Sequence, residues 1–339
     1  MAGVDARRAT IVEVAQLAGV SHQTVSRYLR FQGAGMKPPT QERVRAAIEE
    51  LDYRPNLAAR AMRTRHTGRL AVLLPEGSAH TSVDLLEGVR GVAHDSGYDI
   101  DVVTVGGALH ARGQRVLELV ESGLFEGLLS LTPLEPGIAE TPAGPPVEVF
   151  GIYDSAFRSM GKLAGGEPII ELIERLAAEG HRTFLHVAGD YAYESARQRR
   201  DVYVATIERL GLESYGVVDC EWLPERSMQA ILDLPATSGV TAVIAANDLL
   251  AAGVVRGATM RGWRIPEDLS VTGFDVNELG AWLSPSLTSV RIDHVRMGRD
   301  AMAQLIAVLR DEPAPVDEIP YMSVVWHNSV GPAPTTTDN

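Results

Sequence analysis

The sequence predicts two folding units: a small all-α unit at the N-terminus and a much larger α/β unit built on parallel sheets. Three observations predict this arrangement. The chain has 339 residues, more than one ordinary hydrophobic core accommodates. Residues 10–51 place their apolar side chains at helical spacing, whereas after residue 68 short apolar runs alternate with amphipathic stretches of helical length. Such alternation predicts two doubly wound parallel sheets, each covered by helices on both faces.

The composition is that of a soluble globular protein, with 45% hydrophobic and 22% charged residues. No apolar run approaches the length of about eighteen residues that a membrane span needs. The first twenty residues lack the apolar core of a secretory signal, and the single cysteine, Cys220, has no partner for an internal disulfide. We therefore expect a cytoplasmic protein without zinc sites built on cysteine pairs.

Charge is divided unevenly along the chain. Residues 1–67 hold eleven Lys and Arg against six Asp and Glu, a balance of +5. The rest of the chain carries −18, which gives the net charge of −13. A basic head on an acidic body predicts that one end meets a polyanion while the remainder keeps the protein in solution.

A tight turn is expected between the first two helices. Apolar residues at helical spacing end at Gly19, which tolerates the left-handed geometry of a C-cap. Ser21 offers an N-cap for the second helix, and Val20 and Val25 are expected inside, where they fix the angle between the helices. After a loop rich in Gly and Pro, a third helix is expected from an N-cap at Thr40.

The first turn of the second helix presents polar side chains that suit recognition of DNA bases. These are Ser21, His22, Gln23 and Thr24, with Arg27 one turn further along. Gln can bind adenine and Arg can bind guanine through paired hydrogen bonds, and Ser or Thr can bind phosphate. The alternative is an ordinary helical hairpin with a solvated polar face, and the string AQLAGVSHQTVSR favours the DNA-reading interpretation.

The strings VEVAQLAGVSHQTVSRYLR and TQERVRAAIEELDYRPNLAARAMR closely resemble the LacI/GalR family of bacterial repressors, and the similarity continues to about residue 330. The residue pattern and the resemblance together predict four regions. They are a helix-turn-helix head at 1–55, a hinge helix at 56–67, a two-lobed domain like the periplasmic binding proteins at 68–330, and a disordered tail at 331–339.

The implied hinge helix and the head also depart from the family pattern. Asn56 can cap the hinge helix, and Ala59 is small enough to let two copies meet over DNA, where a helix this short is expected to order. Met62 stands where the family usually places a leucine wedge for the minor groove, which leaves the strength of the DNA bend open. Arg30 replaces a commoner asparagine and can add a phosphate contact. His22 takes a base-reading position, so the operator preference is not transferable from a relative.

Polar residues follow several of the apolar runs in the body, at the edge where doubly wound sheets bind ligands. Asn247 and Asp248 follow one run, Asp275 ends another, and Arg199 lies shortly after a third. Carboxylates and an arginine fork can bind adjacent sugar hydroxyls, and Trp222 can stack on the apolar face of a pyranose.

The resemblance matches Arg199, Asn247 and Asp275 to the family's effector contacts. It also aligns Trp222 with them and places His294 where several relatives have an aromatic residue. The implied ligand is a small sugar.

Some of these residues have structural alternatives. Asp248 can serve as a carboxylate at a helix N-terminus, and Asp275 can serve a turn. Gly151 stands where many sugar-binding members carry a polar residue, which leaves the specificity of the first lobe open. The candidates there are Ser78, His80 and Tyr153.

The expected function is that of a homodimeric, sequence-specific transcriptional regulator. We expect a repressor of a pseudo-palindromic operator whose affinity is lowered by a sugar or glycoside; a purine or other metabolite acting as corepressor is the alternative. A solute-binding transport protein is disfavoured by the head and the missing signal. A glycoside-processing enzyme is disfavoured because nothing places two carboxylates specifically. We expect no metal and no cofactor, since the histidines lack metal spacing.

Overall fold

A computed structural model describes most of the chain: residues 9–54, 66–76, 81–140, 144–156, 158–276, 280, 282–315 and 319–334. The chain divides into two compact units, Met1–Thr67 and Gly68–Asn339. Across these described ranges, no helix is both long and apolar enough to cross a membrane.

The described residues of the first unit form three helices around a small apolar core. They are α1 (Ile11–Ala18), α2 (His22–Phe31) and α3 (Pro38–Glu50). A capping box between Thr10 and Glu13 starts α1, and Gly19, at φ 63°, ends it in the left-handed conformation that glycine adopts readily. Val25 of α2 is fully buried in the core, which fixes how α2 sits against its neighbours.

The third helix begins earlier than expected. Thr40 was predicted as its N-cap, but the helix starts at Pro38 after an N-cap at Lys37 that makes no side-chain hydrogen bond. Proline is tolerated in the first helical turn because the amides there need no partner within the helix. Gln41 then reaches back from α3 and donates to the carbonyls of Gly33 and Met36, which ties the preceding loop to the helix.

The second unit contains a first lobe built on a four-stranded parallel sheet in the order β2-β1-β3-β4. Its strands are β1 (Arg69–Pro75), β2 (Asp99–Val105), β3 (Gly127–Ser130) and β4 (Val147–Val149). Helices α4 (Thr81–Asp95) and α5 (Leu109–Glu121) follow β1 and β2. From its second residue onward β1 is buried, because helices cover both faces of the sheet.

The second lobe repeats this arrangement, with a parallel sheet in the order β6-β5-β7-β8. Its strands are β5 (Thr183–Ala188), β6 (Glu213–Asp219), β7 (Ala242–Ala245) and β8 (Ser270–Thr272). Its helices are α6 (Pro168–Ala178), α7 (Glu194–Leu210), α8 (Pro224–Leu232) and α9 (Asp248–Met260).

After the second lobe the chain returns to the first. Strand β9 (Ser289–Ile292) pairs antiparallel with β10 (Met322–Val325), and between them α10 (His294–Arg310) packs against α4. The two helices approach closely through glycines. A Cβ atom on Gly88 would lie 1.9 Å from the carbonyl oxygen of Val295, and one on Gly298 would lie 2.0 Å from that of Leu85.

The predicted fold class is confirmed by a helical N-terminal unit and two parallel doubly wound sheets. Strand β6 was not predicted, because most of its residues are exposed and it carries no continuous apolar run. The tail was expected to be disordered from residue 331. Residues 335–339 of this tail lie outside the described part of the chain. Before them, the carbonyl oxygen of Gly331 accepts a hydrogen bond from His181 Nε2 at 2.9 Å, and the amide of Ala333 donates to the carbonyl oxygen of Glu179 at 2.9 Å.

Candidate effector site and nucleic-acid interface

The start of α2 is a polar surface on the first unit. The side chains of His22, Gln23 and Arg27 are exposed, and Gln23 and Arg27 lie one helical turn apart on the same face. The hydroxyls of Ser21 and Thr24 hydrogen-bond to each other at 2.9 Å, and the Thr24 amide donates to Ser21 Oγ at 3.2 Å. Ser21 and Thr24 therefore fix the beginning of the helix, while the other three side chains project outward.

Some predicted residues lie outside the described part of the chain. They are Asn56, Ala59 and Met62 of the expected hinge and Ser78 and His80 of the first lobe. Arg30 lies in α2, and its side chain is outside the described part.

A cavity of about 370 Å³ lies in the second unit, at the carboxyl edge of the β5–β8 sheet. It is of the size that binds small organic molecules. Five residues predicted from the sequence meet in its wall: Arg199, Trp222, Asn247, Asp275 and His294.

Arg199, on α7, is held in place from several sides. Its side chain is buried, donates to the carbonyl oxygen of Ala246 at 2.5 Å and donates to Asp275 Oδ1 at 3.0 Å. The guanidinium also lies 3.7 Å from the centre of the Phe274 ring, an arrangement that favours a cation. Asp275 remains 42% exposed, so its carboxylate can accept hydrogen bonds from a ligand while it stays paired with the arginine.

Trp222 forms an aromatic wall. It adopts a left-handed backbone conformation, at φ 61°, and its ring packs so closely over Gly189 that a Cβ atom there would lie 2.3 Å from the ring. Tyr193 meets it edge to face, with ring centroids 5.7 Å apart. The indole nitrogen of Trp222 is buried and has no hydrogen-bond partner among the described residues.

The neighbours Asn247 and Asp248 have different roles. Asn247 caps α9, where its Oδ1 accepts from the amide of Leu250 at 2.9 Å, and this leaves its side-chain NH2 group available at the cavity. Asp248, expected among the effector contacts, is not brought to the cavity wall. It is buried and accepts from Ser289 Oγ at 2.5 Å, so its side chain connects α9 to β9.

His294 begins α10 and closes another side of the cavity. Burial lowers the pKa of His294 below its usual value, although the nearby carboxylates of Asp275 and Asp84 act in the opposite direction. Because the ring also hydrogen-bonds to the backbone of Ile292, a neutral imidazole leaves one ring nitrogen for a ligand. Tyr153, a candidate of the first lobe, is buried in the segment between β4 and α6, where the chain crosses from the first lobe to the second. Its backbone pairs there with that of Ser159.

Comparison with known proteins identifies two domains in the chain. The family described as bacterial regulatory proteins, lacI family, matches residues 10–56, which carry α1 to α3, and a periplasmic binding protein-like domain matches residues 173–330. The chain therefore carries the DNA-binding domain of the lacI family of regulatory proteins. It is a DNA-binding transcriptional regulator.

LacI-family relatives resemble this chain over nearly its full length. The HTH-type transcriptional repressor PurR of Yersinia enterocolitica is 29% identical, and the match covers 96% of this chain and 98% of PurR. PurR of Vibrio vulnificus is 25% identical, with 90% and 93% covered. The crystal structure of the Lac repressor dimer bound to operator and the anti-inducer ONPF has a TM-score of 0.75 at 24% identity, and covers 96% of this chain and 100% of that one.

The cavity also contains residues that the sequence did not single out. Apart from the apolar Leu163 and Ile292, they are Arg158 and Ser159, in the crossing after β4, and Tyr193 and Ser195, at the start of α7. Tyr193 and Ser195 lie just before Arg199, so the approach of α7 to the cavity was the one signal that pointed to them. No group of three or more His, Cys, Asp or Glu side chains that could hold a metal ion occurs within the described ranges.

Proposed function

We propose that this chain is a homodimeric LacI-family repressor that binds a pseudo-palindromic operator through α2 and releases it when a small sugar or glycoside enters the cavity. One observation carries the effector part of the proposal: a buried arginine that is fixed against the partly exposed Asp275, beside Trp222, in the wall of a ligand-sized cavity. The exposed polar start of α2 supports the operator part.

The cavity chemistry suits a polyhydroxylated ligand. Asp275 can accept from two adjacent hydroxyls, Asn247 can donate from its free NH2 group, and the ring of Trp222 supplies an apolar face. Every sugar hydroxyl both donates and accepts, so a wall that mixes carboxylate, amide and guanidinium can satisfy it.

Binding of the two ligands is coupled in this proposal. The cavity lies where the chain crosses between the lobes of the second unit, so a ligand there can change the angle between the lobes. If the ligand weakens operator binding tenfold, the operator weakens ligand binding tenfold, a coupling of about 1.4 kcal/mol. Such a protein works on DNA in the cytoplasm and needs no turnover of its ligand.

A purine acting as corepressor is the second candidate, since the relatives of this chain include the repressor PurR. The direction of the ligand effect separates the two. An inducer lowers operator affinity, whereas a corepressor raises it.

The operator part is tested by selecting duplexes from a random pool with the full chain. We expect one pseudo-palindromic site to emerge, and its affinity to fall by orders of magnitude between about 50 and 200 mM salt, because phosphate contacts release counterions. Equal binding to every duplex would contradict the operator proposal. A flat salt profile would contradict docking through phosphates.

The effector part is tested by screening sugars, glycosides and purines for an increase in the melting temperature of the full chain, followed by operator titration. The variant Asn247→Asp keeps the helix cap but loses the NH2 donor, so we expect it to weaken the effect of the bound compound about fivefold to tenfold. The variant Arg209→Gln, in an exposed ion pair on α7, is the matched control and should leave the effect unchanged. An unchanged response in Asn247→Asp would contradict this placement of the ligand.

A further inference from the structure

The end of the cavity beside the start of α7 has a different chemistry from the end that holds Asp275. The 17-residue helix α7 begins after an N-cap, Tyr193, that makes no side-chain hydrogen bond to the helix. Ser195, in the first turn, is 6% exposed and lines the cavity, and among the described residues its hydroxyl has no hydrogen-bond partner. The amides of a first helical turn and the helix dipole favour an anion.

Arg158 brings a positive charge to the same end. Its Nε donates to Asp154 at 2.6 Å, and one terminal nitrogen lies 3.3 Å from the carbonyl of Ala192, just before α7. The guanidinium lies 5.4 Å from the centre of the Tyr193 ring, which places it beside the uncapped helix start. The other terminal nitrogen makes no hydrogen bond to any described residue, so Arg158 keeps donors for a ligand in the cavity wall.

The nearby carboxylates are already engaged. Asp154 accepts from the amides of Ala156 and Arg158, both at 2.9 Å, as well as from the Arg158 side chain, and it does not line the cavity. Glu194 accepts from the amide of Gly161 at 3.1 Å and from Gln198 at 2.7 Å, and it does not line the cavity either. Among the described residues, the wall therefore presents two guanidinium groups and one carboxylate, Asp275, which is paired with Arg199.

We infer that the effector carries an anionic group, a phosphate ester or a carboxylate, that binds Arg158, the Ser195 hydroxyl and the amides at the start of α7. This inference rests on the proposed function, since it takes the cavity as the effector site. The hydroxyl-bearing part of the same ligand lies toward Asp275 and Asn247, where acceptors and a donor suit a polyol. A ligand with a charged end and a hydroxylated end matches the two ends of the cavity.

Inorganic phosphate is the simplest probe of the anionic end. Added to the full chain at matched ionic strength, it should bind with a Kd of about 1–10 mM, as expected for a small ion held by a few charge-assisted hydrogen bonds. Calorimetry measures this binding. The variant Arg158→Gln should weaken it at least about tenfold and Ser195→Ala should weaken it less, while the control Arg209→Gln should not change it. Ser195→Ala tests the same site should the Arg158 variant fail to fold.

Glucose, glucose 6-phosphate and glucuronate then compare a neutral sugar with a phosphate ester and a carboxylate. We expect the charged compounds to bind more tightly than glucose, and Arg158→Gln to remove the difference. Absence of phosphate binding, or equal binding to Arg158→Gln, overturns the inference.

Operator titration separates the two proposals. If only neutral compounds alter operator affinity, the inference that the effector carries an anionic group is wrong and the proposed function stands. Should phosphate bind through Arg158 while no compound alters operator affinity, the anion site stands and the proposed effector function fails.

Discussion

The two candidate binding surfaces hold their polar side chains in opposite ways. On α2, His22, Gln23 and Arg27 are exposed and make no hydrogen bond to other described residues. In the cavity, Arg199 is 3% exposed and is fixed by Ala246 and Asp275 before any ligand arrives. A surface that meets a long polyanion can order its side chains on contact, whereas a small ligand offers too few contacts to offset that ordering entropy.

The largest expected effect follows from the fixed side of this comparison. Arg199→Ala removes a buried guanidinium from Ala246, Asp275 and the ring of Phe274, and should lower the free energy of unfolding of the second unit by about 3 kcal/mol. The partial exposure of Asp275 keeps this loss of free energy below that expected for a fully buried ion pair. Urea denaturation followed by tryptophan fluorescence measures it, since all four tryptophans lie in the second unit.

The exposed Arg209→Ala, on the same helix, is the control and should change the free energy of unfolding by less than about 0.5 kcal/mol. Equal losses in the two variants would remove the distinction between a fixed cavity and an ordinary surface.

The adaptable side of the comparison predicts a loss of binding without a loss of stability. Arg27→Ala should weaken operator binding by about 1–3 kcal/mol and relax the base preference at one position of each half-site, because the side chain is exposed in the free protein. Binding to a set of single-base operator variants measures this preference. A uniform loss over all sequences would show that Arg27 contacts phosphate instead of a base.

The role of a residue could be predicted from the sequence where residues near it in the chain determine that role. The turn at Gly19 and the cap at Ser21 depend on neighbouring residues, and both were predicted. Residues at strand ends were also predicted to converge, because the carboxyl ends of parallel strands share one edge. Asp248 and Arg158 could not be placed in this way. The first is held by Ser289 from a distant strand, and the second lies in an irregular crossing whose path depends on both lobes.

The buried polar groups of the second unit also predict a pH dependence. His186 is fully buried, its Nδ1 donates to the carbonyl of Ile244 at 2.8 Å, and burial lowers its pKa to about 4. The unfolded chain protonates this histidine near pH 6.5, before the folded chain does, so stability falls as the pH drops from about 6.5 toward 4. At pH 5 the free energy of unfolding is lower by about 2 kcal/mol for this reason.

Urea denaturation of the second unit at pH 7 and pH 5 measures this dependence. His181 and His294, whose pKa values burial also lowers, contribute in the same direction, so the comparison is made with His186→Gln, which keeps a donor for Ile244. The variant should lose about 2 kcal/mol less than the parent chain over the same pH range. If the parent chain and His186→Gln lost the same free energy of unfolding between pH 7 and pH 5, the folded chain would protonate His186 as readily as the unfolded chain.

The smallest expected effect concerns how the head is held together. Thr10 and Glu13 cap α1 reciprocally: the Thr10 amide donates to Glu13 at 2.6 Å, and the Glu13 amide donates to the Thr10 hydroxyl at 3.3 Å. Thr10→Ala should destabilise α1 by about 1 kcal/mol. The Val25 core that positions α2 stays intact, so operator affinity should change far less than in Arg27→Ala.

Amide hydrogen exchange across α1 measures the loss of helix stability, and Thr10→Ser, which keeps the cap, is the control. If Thr10→Ala weakened operator binding as much as Arg27→Ala does, α2 would depend on α1 for its position, and its side chains would not be independent of the packing beneath them.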